Sequence, residues 1–257
     1  MKIAVTGKGG VGKTTIAGTL ARLFARDGHN VVAIDADPAM NLKFTLGIEK
    51  NPPPVAGLKD LIIERTGAYS ENGIYKLNPR VDDILTRYGA KGPDGLILLV
   101  MGTIEKGGTG CVCPENALLR ALLRHVLFKE DTVIIDMEAG IEHLGRGTAK
   151  GVDIMLTVIE PGMRSVETAS RIKKLGEDIG ISRILAVINK VTDTGTVKKI
   201  ENKLDEIDLP LLGTIPHDQR LVEADIEGIA PLDADGWIGG EVGVYIRAIK
   251  EKITTKY

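Results

Sequence analysis

Short apolar runs rich in β-branched residues recur along the chain, with stretches of helical period between them. "KIAVT" (2–6), "NVVAIDAD" (30–37), "GLILLVMG" (95–102), "TVIIDME" (132–138), "DIMLTVIEP" (153–161), "RILAVINKV" (183–191) and "PLLGTIP" (210–216) are the strand candidates. Most are apolar at consecutive rather than alternate positions, which predicts strands buried on both faces. Separated by helices, they predict an α/β fold with a mostly parallel central sheet of about seven or eight strands and helices on both faces. "GIYKL" (73–77) is a candidate edge strand. Helical period runs from Thr14 to Arg26, and again after Pro114, a residue suited to a first helical turn. The last helix places Tyr245, Ile246, Ile249 and Ile253 on one stripe, expected to pack on the sheet. No repeat or low-complexity tract interrupts the pattern, and "NPPPVAG" (51–57) reads as a stiff loop. One domain over residues 1–257 is expected.

Composition narrows the class. A hydrophobic content of 43% supports one large core. A net charge of −2 and only 4% aromatic residues give no basic surplus and no base-stacking platform. Neither nucleic acid nor a membrane is expected as a partner. The chain lacks both a signal-peptide pattern and a run long enough to span a bilayer, so a cytoplasmic location is expected.

The chemistry begins directly after the first strand. "GKGGVGKTT" (7–15) contains G-x-x-x-x-G-K-[ST] as Gly7, Gly12, Lys13 and Thr14. It follows a strand and opens a helix, as a phosphate-binding loop requires. Backbone N–H groups across Gly9, Gly10, Val11, Gly12 and Thr15 converge on phosphate oxygens there, and the helix N-terminus adds favourable potential. Lys13 is expected to reach the β- and γ-phosphates of ATP, or the β-phosphate of ADP, and the Thr14 hydroxyl to ligate Mg²⁺. The alternative, a glycine-rich turn that only joins strand to helix, accounts less well for the lysine and hydroxyls.

Lys8, a second lysine, precedes the glycines. "KGGVGKTT" resembles the deviant Walker A motif of the ATPase superfamily that includes nitrogenase iron protein, septum-site and chromosome-partition ATPases and the arsenite-pump ATPase. The resemblance implies a nucleotide-sandwich homodimer, in which Lys8 reaches the partner's phosphates. It also implies that Asp37 in "AIDADPAMNL" orients the attacking water. Asp35 is then a support for the loop or for Mg²⁺. "VIIDMEAG" resembles a Walker B strand delivering Asp136 to Mg²⁺, with Glu138 and Gly140 in the switch that follows.

Asn189 and Lys190 in "INKV" stand where N-K-x-D proteins read guanine, but the D position here is Thr192, which suits adenine better. Asp193, one position later, leaves GTP open. "GTIPHDQ" (213–219) resembles the superfamily's adenine-flanking segment, with backbone around Pro216 beside the base. Of the four histidines, His143 and His217 adjoin these segments and are weak candidates for local tuning.

Cys111 and Cys113 are the only cysteines. An i, i+2 disulfide needs a distorted turn, because in extended chain the two side chains point oppositely. Burial as small hydrophobes fits poorly with the flanking "KGGTG" and "PEN". Metal binding suits the thiolates, but one C-x-C supplies two ligands where zinc-type sites take four. A two-fold dimer would supply four sulfurs. Taken together, "KGGVGKTT", "IEKGGTGCVCPENALLR" and "IIDMEAGIEHLGRGT" resemble the carbon monoxide dehydrogenase accessory ATPases that insert nickel. That resemblance implies Ni²⁺ (or Zn²⁺) held by Cys111 and Cys113 of both subunits, and a client such as carbon monoxide dehydrogenase. An iron–sulfur ATPase like nitrogenase iron protein and a partition or positioning ATPase are the alternatives.

Overall fold

The strands are β1 (Lys2–Gly7), β2 (Val31–Ala36), β3 (Ala90–Lys91), β4 (Ile97–Val100), β5 (Thr132–Met137), β6 (Ile154–Ile159), β7 (Ile184–Val191) and β8 (Leu211–Pro216). They form one 8-stranded sheet in the order β3-β4-β2-β5-β1-β6-β7-β8. Every neighbouring pair is parallel except β3 with β4. The computed structural model describes residues 1–68, 74–102, 114–138, 149–234 and 241–255. The helices are α1 (Lys13–Arg26), α2 (Leu42–Leu46), α3 (Lys59–Thr66), α4 (Ile84–Tyr88), α5 (Pro114–Lys129), α6 (Met163–Ile179), α7 (Thr194–Asp205), α8 (Gln219–Glu227) and α9 (Glu241–Thr254).

The consecutive apolar runs have the consequence expected of them. Within β5, Val133, Ile135 and Met137 join the core under α5 and α6, whereas Ile134 joins the core under α1 and α9. β1 splits the same way, with Ala4 on one side and Ile3 and Val5 on the other. A strand with apolar groups on both pleats cannot face water, so helices must cover both faces. The predicted α/β architecture is therefore the observed one.

Two details differ from the sequence reading. Residues 74–77 of "GIYKL" form no strand; Gly73 lies outside the described residues. The Lys76 amide donates instead to the Thr66 carbonyl at the end of α3, and Ile74 and Leu77 are exposed. The antiparallel edge is β3, which carries no apolar run to announce it. In α9 the buried stripe is Val242, Ile246, Ile249 and Ile253, while Tyr245 faces outward. The helix covers β8 and touches α1.

α1 and α2 approach closely at Gly18, where an added Cβ would lie 2.0 Å from the Thr45 hydroxyl oxygen. A glycine inside a helix costs about 1 kcal/mol against alanine, so the contact accounts for its presence. Gly18→Ala is expected to lower stability by roughly 1–3 kcal/mol through overpacking, despite alanine's better propensity. Urea unfolding measures it, and a stabilised variant would contradict the contact.

Candidate functional site

The phosphate loop leaves β1 at the middle of the sheet's carboxyl edge, where open α/β sheets bind ligands. Gly12 caps α1 with a left-handed backbone, φ 89°. No side chain caps the helix and no acidic residue occupies its first turn. Its first N–H groups and their positive potential are left for a ligand. Gly12 also has a packing reason: an added Cβ would lie 2.3 Å from the Asn189 amide nitrogen. The Asn189 amide donates to the Val11 carbonyl at 2.8 Å, and the Lys190 ammonium to the Gly10 carbonyl at 2.5 Å. β7 thus holds the loop from one side.

Acidic groups stand on the other side. Asp35 on β2 lies in register with Asp136 on β5, and both are fully buried. The Asp35 carboxylate accepts the Asp37 amide at 3.2 Å and the Leu42 amide at 2.9 Å. It therefore ties together the loop that carries Asp37. Asp37 forms an ion pair with Lys13 at 2.7 Å. Burial is the largest influence on Asp37 and pushes it upward, but the hydrogen bonds from Lys13 and the Ala39 amide, together with the Lys13 charge, outweigh it and the net shift is downward. Burial raises Asp35 to about 6 and Asp136 to about 7. The Thr14 hydroxyl opposes the rise at Asp136 without completing a hydrogen bond, so both Asp136 oxygens lack a partner among the described residues.

Two buried, partnerless carboxylate oxygens beside a threonine hydroxyl suit a hard divalent cation. Mg²⁺ takes one or two carboxylates together with phosphate oxygens, so the residues present fit it. Among the described residues, no group of three or more His, Cys, Asp or Glu is arranged to hold a metal alone.

The cleft continues on the β7 and β8 side into an apolar pocket lined by Ile215, Pro216, Leu221, Val222 and Ile229, with Asn189 and Lys190 also in its wall. Because the Asn189 nitrogen is engaged with Val11, its oxygen remains an acceptor, the group that an exocyclic amine such as adenine's requires. Asp193 is turned away from base reading. Its carboxylate caps α7, accepting the Gly195 amide, the Thr196 amide and the Thr196 hydroxyl. The one feature that left GTP open is thereby occupied.

The structure brings Gly9, Gly10, Gly12, Lys13, Thr14, Thr15 and Asp37 into one cleft, and Glu138 joins them. Val11 is buried beneath the loop, and Lys8 is exposed beside it. Cys111, Cys113, Gly140 and His143 lie outside the described residues. Phe44, Thr45 and Asp225, which belong to no nucleotide-binding motif in the sequence, also line the cleft. Gly18, a glycine inside a helical pattern, was the sequence signal for the α2 contact.

The chain matches the CobQ/CobB/MinD/ParA nucleotide-binding domain over residues 2–232. It belongs to that family. This ATPase is 45% identical over 259 residues to the carbon monoxide dehydrogenase accessory protein CooC of Rhodospirillum rubrum, covering 98% of this chain and 97% of that one. It is 46% identical to an uncharacterized ATP-binding protein of Methanocaldococcus jannaschii, over 99% of this chain and 100% of that one. It is thus a CooC-type ATPase of the MinD/ParA superfamily. Among solved structures, the cell division ATPase MinD of Pyrococcus furiosus matches with a TM-score of 0.72 at 20% identity, covering 99% and 98% of the two chains. At that identity the likeness speaks to fold alone. No helix among the described residues is long and apolar enough to cross a membrane.

The raised carboxylates make a pH prediction. Each binds a proton more readily in the folded chain than in the unfolded one, whose ordinary value is 3.8. Folded and unfolded states therefore differ most between about pH 4 and 7, and the ligand-free protein loses stability as pH rises through that window. Asp136→Asn is expected to raise the melting temperature of the ligand-free protein more at pH 8 than at pH 5. Calorimetry at both values checks it; equal effects would contradict the burial-driven rise.

Proposed function

We propose that this ATPase is a homodimeric, cytoplasmic nickel metallochaperone that serves carbon monoxide dehydrogenase or a related nickel enzyme. The observation that carries this reading is the near full-length similarity to CooC, a carbon monoxide dehydrogenase accessory protein. The C-x-C at Cys111 and Cys113 supports it, because thiolates suit soft and borderline metals and two from each subunit would complete a four-sulfur site.

In this account the nucleotide has adenine against Pro216 and the Asn189 oxygen, with its phosphates on Gly9 to Thr15. Lys13 leaves Asp37 for the β- and γ-phosphates, and Asp37, released, orients the attacking water. Thr14 and Asp136 hold Mg²⁺, which when bound offsets charge on the phosphate oxygens. Lys8, exposed beside the loop, reaches the partner's phosphates, so that ATP closes the dimer and brings the two C-x-C segments together. Hydrolysis loosens the pair and releases Ni²⁺ (or Zn²⁺) to the client.

The reading predicts one nickel per two chains, bound more tightly with ATP. Cys113→Ser is expected to abolish metal binding while leaving ATP binding within about twofold, because the thiols and phosphate loop are separate donor sets. Lys8→Ala is expected to keep the chain monomeric in ATP. Metal analysis joined to light scattering measures the metal content and the assembly state, and a nucleotide titration measures ATP binding. A wild-type protein that stays monomeric with ATP and nickel would overturn the shared site. Purification with an iron–sulfur chromophore would favour an electron-transfer role instead.

A further inference from the structure

Thr6 is fully buried in β1, next to Ile3, Ala4 and Val5. Valine has nearly the same shape and suits a buried strand better, since an unpaired buried hydroxyl costs about 1–3 kcal/mol. Here the hydroxyl has a use. It donates to the carbonyl of Glu138 at 2.7 Å. Regular pairing between β1 and β5 ends at Val5 with Asp136. Beyond that point the Thr6 side chain takes over, and it fixes where the chain leaves β5. Across β1 on its other side, Thr157 of β6 is in register with Thr6 and carries another buried hydroxyl, without a hydrogen-bond partner among the described residues. Glu138 itself is exposed and lines the phosphate cleft with Lys13, Thr14 and Asp37.

We infer that Thr6 is a positioning residue for ATP hydrolysis: its hydroxyl anchors the Glu138 backbone and so aims the Glu138 carboxylate into the phosphate cleft. The cleft then has acids on two sides of the attacking water. Asp37 comes from the loop after β2, and in the ligand-free protein it is tied to Lys13. Glu138 comes from the end of β5, and its placement does not depend on Lys13. The inference rests on ATPase activity alone and is independent of the metal-delivery reading.

The test is steady-state phosphate release by the full-length protein at saturating Mg²⁺. Thr6→Val is expected to lower kcat roughly ten- to a hundredfold, the scale of a misplaced catalytic group, with KM for ATP within about twofold. Thr6→Ser, which restores the hydroxyl, is expected to recover kcat. A folded Thr6→Val with wild-type kcat would overturn the inference. So would a loss of kcat that tracks melting temperature and is not recovered by serine. Should Thr6→Val fail to fold, Glu138→Gln at the exposed cleft wall decides: it is expected to lower kcat by a similar factor at unchanged KM, and unchanged kcat would overturn the inference.

Discussion

Three aspartates surround one ammonium at the carboxyl edge of the sheet. Asp35 and Asp136 come from adjacent strands, Asp37 from the loop that Asp35 ties, and Lys13 from the first turn of α1. Two of the acids are fully buried. Burying carboxylates without matching positive charge is costly, and a chain meets that cost by holding protons or by binding a cation. The raised values at Asp35 and Asp136 are the first response, and in the proposed function a Mg²⁺–nucleotide would be the second. The site is charged for a ligand it must bind to be comfortable, and the surrounding fold keeps it so. Asp35 and Asp136 sit on strands packed on both faces, and neither can swing out to water.

The Lys13–Asp37 pair gives this charge imbalance a resting arrangement. Asp37 neutralises Lys13 while no phosphate is present, and only about a tenth of either side chain is exposed. Truncating one member of such a pair leaves the other uncompensated. A phosphate that attracts Lys13 thereby changes what Asp37 faces, which links nucleotide arrival to exposure of a carboxylate. On the opposite side Asn189 and Lys190 hold the Val11 and Gly10 carbonyls, so the apolar pocket beside β7 and β8 is tied directly to the glycine-rich loop.

Much of this was legible in the chain. Consecutive apolar runs named seven strands, because a doubly covered parallel sheet leaves no other pattern. The phosphate loop was legible because its chemistry demands glycines, a lysine and a hydroxyl at fixed spacing between strand and helix. β3 was missed since two residues carry no periodicity, and "GIYKL" misled because its Ile74 and Leu77 are exposed and its Lys76 amide pairs with the last carbonyl of α3 rather than with a strand. Asp193 left two bases open in the sequence; its capping of α7 depends on a backbone conformation that spacing alone does not reveal. The Thr6 contact was invisible for a related reason: one hydroxyl in an apolar strand gains meaning only from the carbonyl opposite. Glu138 was visible as a switch residue, but its place in the cleft needed the sheet.

In the proposed mechanism, buried Asp136 holds a proton in the ligand-free protein and gives it up when a cation-bearing nucleotide arrives. Calorimetric titration of Mg–ATP near pH 6.5, in buffers of different ionisation enthalpy, measures the protons exchanged on binding. Asp136 should be about half or more protonated there before binding, given its value of about 7. The account predicts that the wild-type protein releases a substantial fraction of a proton more than Asp136→Asn does. Equal proton release from the two proteins would contradict it.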